Sequence, residues 1–217
     1  MSNVFHHLIY MSKTWYDTFY FAHNSFFSKN MIRALKSGYI IQGALLPKHF
    51  RVLSGSEPLK EIYTNIYFDD IPSNQFYWGP TFIIDPSIIN SYNIGIRDGW
   101  QGYETLVSNS DSTATKKKKF STIHKKLKSA PTYVYSHDSD GTRIRLKRPL
   151  YAIHEIVFRK KIPINKFAIG IVCNKYSCSS RNFATIQRIC AEKNYNIKII
   201  FQTDSDEALP LSTFKKI

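Results

Sequence analysis

Short runs of β-branched and aromatic residues, separated by turns, limit most strongly what this chain can fold into. Five runs are clear strand candidates: 62–68, 81–84, 151–158, 167–173 and 197–201. Two stretches have clear helical spacing, one from Ser28 to Gly38 and one that begins at Ser179 or Ser180. Strands and helices do not alternate regularly. The sequence therefore predicts an α+β fold with a mixed, largely antiparallel sheet and few helices.

The length of 217 residues fits a single domain, 1–217. The composition changes after Asn93, where glycines surround Trp100 and small polar residues precede four consecutive lysines at 116–119. We interpret about residues 93–130 as a long, partly mobile insertion that holds a short basic helix over 121–128.

The charge balance favours an anionic partner. The chain has 30 Lys and Arg against 16 Asp and Glu, a net charge of +14 and a pI near 9.6. Such an excess favours polyanions, which include nucleic acid, nucleotides and anionic membrane, although a lysine-rich proteome is an alternative explanation. The candidate phosphate-binding residues are Lys116, Lys117, Lys118, Lys119, Lys125, Lys126, Arg143 and Arg145. The alternative for the lysine run is a solvated loop.

Several kinds of site lack their sequence pattern. Cys173, Cys178 and Cys190 form no CxxC pair or zinc-ligand spacing, and no HExxH motif occurs, so no metal is expected. There is no GxSxG elbow and no Walker or Rossmann glycine spacing. The few, odd-numbered cysteines predict free thiols in a reducing compartment. The start of the chain has no apolar signal region and no apolar run could span a membrane, so an intracellular protein, cytoplasmic or nuclear, is expected.

Glu155 is the one carboxylate in the apolar run from Tyr151 to Phe158. A carboxylate in such a strand needs a partner, a raised pKa or a catalytic task. The simpler interpretation is a Glu on the solvated face of an edge strand, opposite a Lys or Arg. His154 precedes it, and adjacent strand residues point to opposite faces.

Upstream of Glu155 a set of polar and aromatic residues follows in order. A strand ends in His23-Asn24-Ser25, a helix ends at Gly38, and a loop contains Arg51 and small residues. An aromatic strand with Tyr63 and Tyr67 comes next. This series resembles the ADP-ribosyltransferase superfamily, which includes diphtheria-type toxins, poly-ADP-ribose polymerases and DNA-modifying toxins of the DarT type. The resemblance covers about residues 19–172.

The resemblance implies a split-sheet fold, NAD as a substrate, and a later-strand Glu as the catalytic residue. It makes Glu155 and His23 the catalytic candidates. Glu155 would stabilise the oxocarbenium that forms as nicotinamide leaves. The residues expected to hold NAD are His23, Asn24, Ser25, Arg51, Tyr63 and Tyr67.

The leading hypothesis is therefore an NAD-dependent ADP-ribosyltransferase that modifies nucleic acid. An inert basic protein that binds nucleic acid is the first alternative, and a metal-independent nuclease or phosphoesterase is the second. The transferase hypothesis requires Glu155 to face the same cleft as His23, while His154 faces away.

Overall fold

An eight-stranded sheet organises the chain. The computed structural model of the protein describes residues 15–25, 27–42, 53–54, 57–58, 61–71, 79–98, 104–129, 133–137, 143–147, 154–175, 178–202 and 208–215. The strands in these residues are β1 (Phe19–Asn24), β2 (Tyr39–Ile40), β3 (Leu53–Ser54), β4 (Glu57–Pro58), β5 (Ile62–Phe68), β6 (Thr81–Ile84), β7 (Ile94–Asp98), β8 (Glu104–Val107), β9 (Tyr133–His137), β10 (Arg143–Lys147), β11 (His154–Phe158), β12 (Ile162–Pro163), β13 (Ala168–Asn174) and β14 (Lys198–Gln202). The helices are α1 (Ser28–Ser37), α2 (Thr113–Ser129), α3 (Ile164–Phe167) and α4 (Ser180–Glu192), with 3-10 turns at Pro86–Asn90 and Leu211–Thr213.

The strand order of the large sheet is β14-β13-β6-β1-β5-β11-β7-β8. Every neighbouring pair is antiparallel except β13 and β14, which are parallel and are connected through α4. The pairs β9/β10, β2/β12 and β3/β4 form separate two-stranded sheets. The predicted α+β fold with a mixed, mostly antiparallel sheet is confirmed.

Two of the predicted helix ends, the end of α1 and the start of α4, have the expected local causes. Gly38 follows α1 with φ 81°, in the left-handed region that glycine tolerates, and its N–H donates to the carbonyl oxygen of Ala34. The Ser179 hydroxyl caps α4 by accepting a hydrogen bond from the N–H of Asn182 at 3.3 Å.

The long helices cover one face of the sheet, which we call the helix-covered face. Phe120 of α2 stacks on Phe19 of β1, with ring centroids 5.0 Å apart. Phe183 of α4 meets Phe201 of β14, on the same face by register. Helix α1 packs beside α4. The core therefore lies between these helices and the sheet.

The opposite face, which we call the second face, packs in part against the last described segment. Tyr20 and Tyr67 stack there with ring centroids 5.3 Å apart, and the Tyr20 hydroxyl donates to the carbonyl oxygen of Leu209. Phe214 lies directly over Gly170, where a Cβ atom would collide with its ring. Glycine is required at this position because the ring approaches the backbone so closely.

The described parts of the region interpreted as an insertion, residues 93–98 and 104–129, are integral to the fold. It supplies β7 and β8 to the large sheet and contributes α2 to the core. Helix α2 runs over Thr113–Ser129, well beyond the short helix predicted for 121–128. An insertion was expected here because the inward-facing side chains of α2, including Lys116, are difficult to recognise within a lysine-rich sequence.

No helix among the described residues is both long enough and apolar enough to cross a membrane.

Candidate functional site

The strand register decides whether His23 and Glu155 can share a cleft. Ala22 pairs with Asn65 across β1 and β5, and Asn65 pairs with Glu155 across β5 and β11. Glu155 is therefore on the face of Ala22, and His23, one residue further along β1, is on the opposite face. Two strand spacings also separate their backbones, about 10 Å. The catalytic pair expected from the sequence is not assembled.

His23 has the environment of a strand-end histidine on the helix-covered face. It is half-buried, and its Nδ1 lies 2.8 Å from the carbonyl oxygen of Tyr63. Burial lowers the pKa of His23, while the hydrogen bond to Tyr63 opposes that shift. The neutral imidazole therefore donates its Nδ1–H to Tyr63 and ties β1 to β5 where their ladder ends.

Glu155 is half-buried on the second face, with Asn65 beside it on β5 and Arg97 beside it on β7. Arginine at a cross-strand position is the neighbour that the simpler interpretation of Glu155 requires. Tyr63 is on the same face, two residues from Asn65.

A hydrogen-bonded group lies nearby on this face. The Tyr63 hydroxyl donates to Oε2 of Glu61 at 3.2 Å, and Nε of Arg159 donates to Oε1 of Glu61 at 3.1 Å. The Glu61 side chain is only 14% exposed, so this ion pair joins β5 to the end of β11 in a partly desolvated setting.

The remaining residues expected to hold NAD are scattered. Asn24 is half-buried at the end of β1, and Ser25 is buried, with its N–H donating to the carbonyl oxygen of Pro80. Tyr67, which was expected to help hold NAD, is 3% exposed and stacked on Tyr20, so its ring is already used in packing. Arg51 lies outside the described residues.

Helix α2 separates its lysines into two groups. The ammonium groups of Lys116 and Lys119 bond to other parts of the protein. Lys116 is 5% exposed, and its Nζ donates to the carbonyl oxygen of Asn109 at 2.8 Å. Lys119 bonds the carbonyl oxygen of Leu106 at 2.8 Å and pairs with Asp111 at 2.7 Å. These two were wrongly assigned to nucleic-acid binding, because both ammonium groups anchor the helix to the protein.

Lys117, Lys118, Lys125 and Lys126 are exposed on the outward side of α2. Lys117 and Lys125 are eight residues apart with Ser121 midway, and Lys118 and Lys126 repeat that spacing with Thr122 midway. Residues four apart lie on one side of a helix, so the outward side presents two parallel Lys-hydroxyl-Lys rows. We call these six residues the basic face.

A polar cluster fixes the position of α2 over the sheet. Asp70, just after β5, accepts from His124 at 2.8 Å and from Lys128 at 3.0 Å. Partial burial raises the pKa of Asp70, but the hydrogen bonds from His124 and Lys128 outweigh it and the net pKa is lowered. The ammonium group of Lys128 is paired with Asp70, so Lys128 is not counted in the basic face.

Arg143 and Arg145 lie on β10, which pairs with β9 and not with the large sheet. The backbone places both residues on one side of β10, as the alternation predicted. Their contribution to nucleic-acid binding stays a prediction.

Within the described part of the chain, no three His, Cys, Asp or Glu side chains are close enough to hold a metal ion. The sequence interpretation missed the hydroxyls of Ser121 and Thr122 as members of a lysine surface. The eight-residue repeat of lysines around them was the signal that could have identified both.

The comparisons with known proteins identify a family. Residues 16–130, more than half of the chain, match the family described as a family of unknown function, DUF5846. The chain is also similar to uncharacterized protein R11 of Acanthamoeba polyphaga mimivirus, with 28% identity over 197 residues that cover 84% of this chain and 70% of the relative. No solved structure matches the chain significantly. The protein belongs to the DUF5846 family.

Proposed function

We propose that the protein binds nucleic acid through the basic face of α2. The observation that carries this proposal is the division of the lysines on one helix. Lys116 and Lys119 are engaged with the protein, whereas the ammonium groups of Lys117, Lys118 and Lys125 have no hydrogen-bonding or ionic partner among the described residues. Unpaired ammonium groups on a fixed helix are available for phosphates.

The charge of α2 has one sign. Its 17 residues include seven lysines and no Asp or Glu. A helix exposed only to water is commonly stabilised by pairs of opposite charge four residues apart, and the basic face has none of these pairs. Repulsion among its lysines is relieved when phosphates neutralise them, which favours an anionic ligand.

The spacing of the basic face suits an extended ligand. Eight residues of α-helix span about 12 Å, so the lysines at the two ends of each row reach different phosphates of one nucleic acid. Ser121 lies between the lysines of one row and supplies a short hydroxyl group, which commonly bonds phosphate oxygens. The Thr122 hydroxyl in the other row donates to the carbonyl oxygen of Lys118 at 3.0 Å. The DUF5846 match includes all of α2 and ends before Glu155, which is consistent with α2 carrying the function.

The basic face contains no aromatic residue. Single-stranded nucleic acids are usually held by aromatic rings that stack on bases, whereas lysines and hydroxyls contact the backbone. Binding through α2 is therefore expected to be independent of base sequence and steeply dependent on salt.

The direct test is fluorescence anisotropy with a labelled DNA duplex at several salt concentrations. In one variant, Lys117, Lys118 and Lys125 are replaced by Ala. The slope of log Kd against log salt should then fall by roughly one for each phosphate-bound lysine lost. Affinity at low salt should fall at least tenfold, about 1.4 kcal/mol.

A matched variant removes the same charge elsewhere. Lys36, Lys193 and Lys198 are also exposed, on or beside α1, α4 and β14. Replacing these three by Ala should leave most of the affinity and the salt slope intact. If both triple variants lose affinity equally, net charge alone drives binding and the proposed interface is wrong.

NAD-dependent ADP-ribosyl transfer to nucleic acid stays a prediction, as does a split-sheet likeness to that superfamily. Glu155 shares the second face with Tyr63, and His23 lies on the other side, so any such site would be built without His23. Incubation with labelled NAD and DNA, RNA or protein, comparing the wild type with Glu155→Gln, tests the activity. An oligonucleotide that stays intact after incubation with the protein in EDTA would argue against the nuclease alternative.

A further inference from the structure

Two cysteines meet where β13 leads into α4. Cys173 is the next-to-last residue of β13, and Cys178 comes just before Ser179, the cap of α4. The N–H of Cys178 donates to the carbonyl oxygen of Asn174 at 3.0 Å, which folds the connection back onto the end of the strand. The Cys173 thiol hydrogen-bonds the sulfur of Cys178. Both residues are buried, at 1% and 4% exposure.

The surroundings make the two thiols different. Hydrogen bonds from Cys173 and from Ser28, the first residue of α1, lower the pKa of the Cys178 thiol, although burial opposes this shift. The same hydrogen bond to Cys178, together with burial, raises the pKa of Cys173. Cys178 is also next to the N-terminus of α4, where a thiolate is favoured. Cys178 is therefore the more readily deprotonated of the two thiols.

Cys190 provides an internal comparison. It lies near the end of α4, and burial raises its pKa to about 11. Because it holds its proton in an apolar setting, Cys190 should be inert under conditions in which Cys178 reacts.

We propose that Cys173 and Cys178 form a reversible disulfide, with Cys178 as the attacking thiol and Cys173 as the resolving thiol. Cys178 lies against a thiol partner just before a helix, and the hydrogen bond from its N–H to the carbonyl oxygen of Asn174 holds it beside the end of β13. The required oxidant is a low-molecular-weight disulfide such as oxidised glutathione.

The oxidation of the two thiols takes two thiol–disulfide exchange steps. The Cys178 thiolate attacks one sulfur of the oxidant, the sulfur–sulfur bond of the oxidant breaks, and one thiolate leaves. Cys173 then gives up its proton and attacks the Cys178 sulfur of the mixed disulfide, which releases the second thiolate. The protein loses two electrons and the oxidant gains them, so one protein disulfide and two small thiols result. Because both thiols are buried, local opening around them must precede the first step.

The test uses the full chain in buffers of graded reduced-to-oxidised glutathione ratio. The reaction is quenched in acid, free thiols are alkylated, and peptides are identified by mass spectrometry. The expected product is a peptide pair that links Cys173 to Cys178, with Cys190 alkylated throughout. Protein that stays fully reduced at oxidising ratios, while all three thiols react in denaturant, would overturn the proposal. A disulfide that includes Cys190 would overturn it as well.

Variants assign the two roles. Cys173→Ser should trap glutathione on Cys178, because the resolving thiol is missing, and Cys178→Ser should give neither product. Cys190→Ser is the matched control and should oxidise as the wild type does. Cys173→Ala replaces Cys173→Ser if the hydroxyl prevents folding, and the wild-type linkage decides the proposal without any variant. Glutathione on Cys173 in the Cys178→Ser protein would reverse the assigned roles and contradict the proposal.

Discussion

The ammonium group of Lys116 donates a hydrogen bond to the main-chain carbonyl oxygen of Asn109 at 2.8 Å, and it lies 3.5 Å from Oδ1 of Asn90. This lysine is the first of four in sequence, yet only 5% of it is exposed, whereas Lys117 and Lys118 are exposed. One run of identical residues therefore contains both an internal anchor and part of an outer surface.

The first prediction separates these two roles. Lys116→Ala should lower the free energy of unfolding by about 1–3 kcal/mol, because hydrogen bonds at a buried site are lost and the space of the side chain is vacated. Lys117→Ala should change it by less than about 0.5 kcal/mol, since the residue is exposed and Ala favours helix. Urea denaturation measures both. Equal effects would show that Lys116 is not an anchor.

Much of the fold could be predicted from the sequence, because the local signals are strong. Strands β5 and β6 occupy the predicted residues 62–68 and 81–84, and α1 ends at Gly38 as expected. Helix α2 was largely missed. Its apolar positions begin at Phe120, so the lysines of its first turns resemble a solvated loop until the packing of Lys116 is known.

The candidate site was harder to predict, for a geometric reason. Sequence order suggested that His23 and Glu155 act together, but the register of two intervening strand pairs sets the face of each side chain. A shift of one residue moves a side chain to the other face, and one sequence carries no direct record of register. The residues of a single helix keep a known relation, so once α2 is recognised as a helix, spacing alone tells which of its lysines share a side.

The second prediction concerns the acid dependence of stability at Asp70. Its pKa is lower in the folded protein than its ordinary 3.8, so its contribution to stability is present above that value and is lost as the pH falls through the lowered pKa. At pH 7, Asp70→Asn should destabilise the protein by up to about 1 kcal/mol, because the pair is partly exposed.

Thermal unfolding at pH 7, 5, 4 and 3 checks this expectation. The difference in Tm between the wild type and Asp70→Asn should shrink toward the acid end. Added salt at pH 7 should also reduce the difference, because salt screens exposed ion pairs. A difference that is constant with pH would contradict a role for the Asp70 charge.

The third prediction concerns His23. Its pKa is lowered in the folded protein from the ordinary 6.5, mainly by burial. Below about pH 6.5 the unfolded chain binds a proton at this residue and the folded protein does not, so acid destabilises the fold. The slope from this one group is at most about 1.4 kcal/mol for each pH unit.

His23→Asn removes the titrating group while its amide can still donate to the carbonyl oxygen of Tyr63. Between pH 7 and pH 5 the variant should therefore lose less free energy of unfolding than the wild type. The other histidines are common to both proteins, so the difference between the two curves isolates His23. Parallel curves would mean that His23 titrates normally in the folded state.

The fourth prediction tests the packing of Gly170 against Phe214. An added Cβ at Gly170 would lie 2.8 Å from Cε1 of Phe214, closer than real Cβ contacts, so Gly170→Ala must displace the ring. The free energy of unfolding should fall by about 1–3 kcal/mol.

Phe214→Leu removes the ring and should lower stability by itself. In the double variant the added methyl group no longer collides with the ring. The free energy lost by the double variant should therefore be smaller than the sum of the losses of the two single variants. Urea denaturation of the four proteins gives the interaction free energy, and strictly additive losses would show that the ring and Gly170 are not in contact.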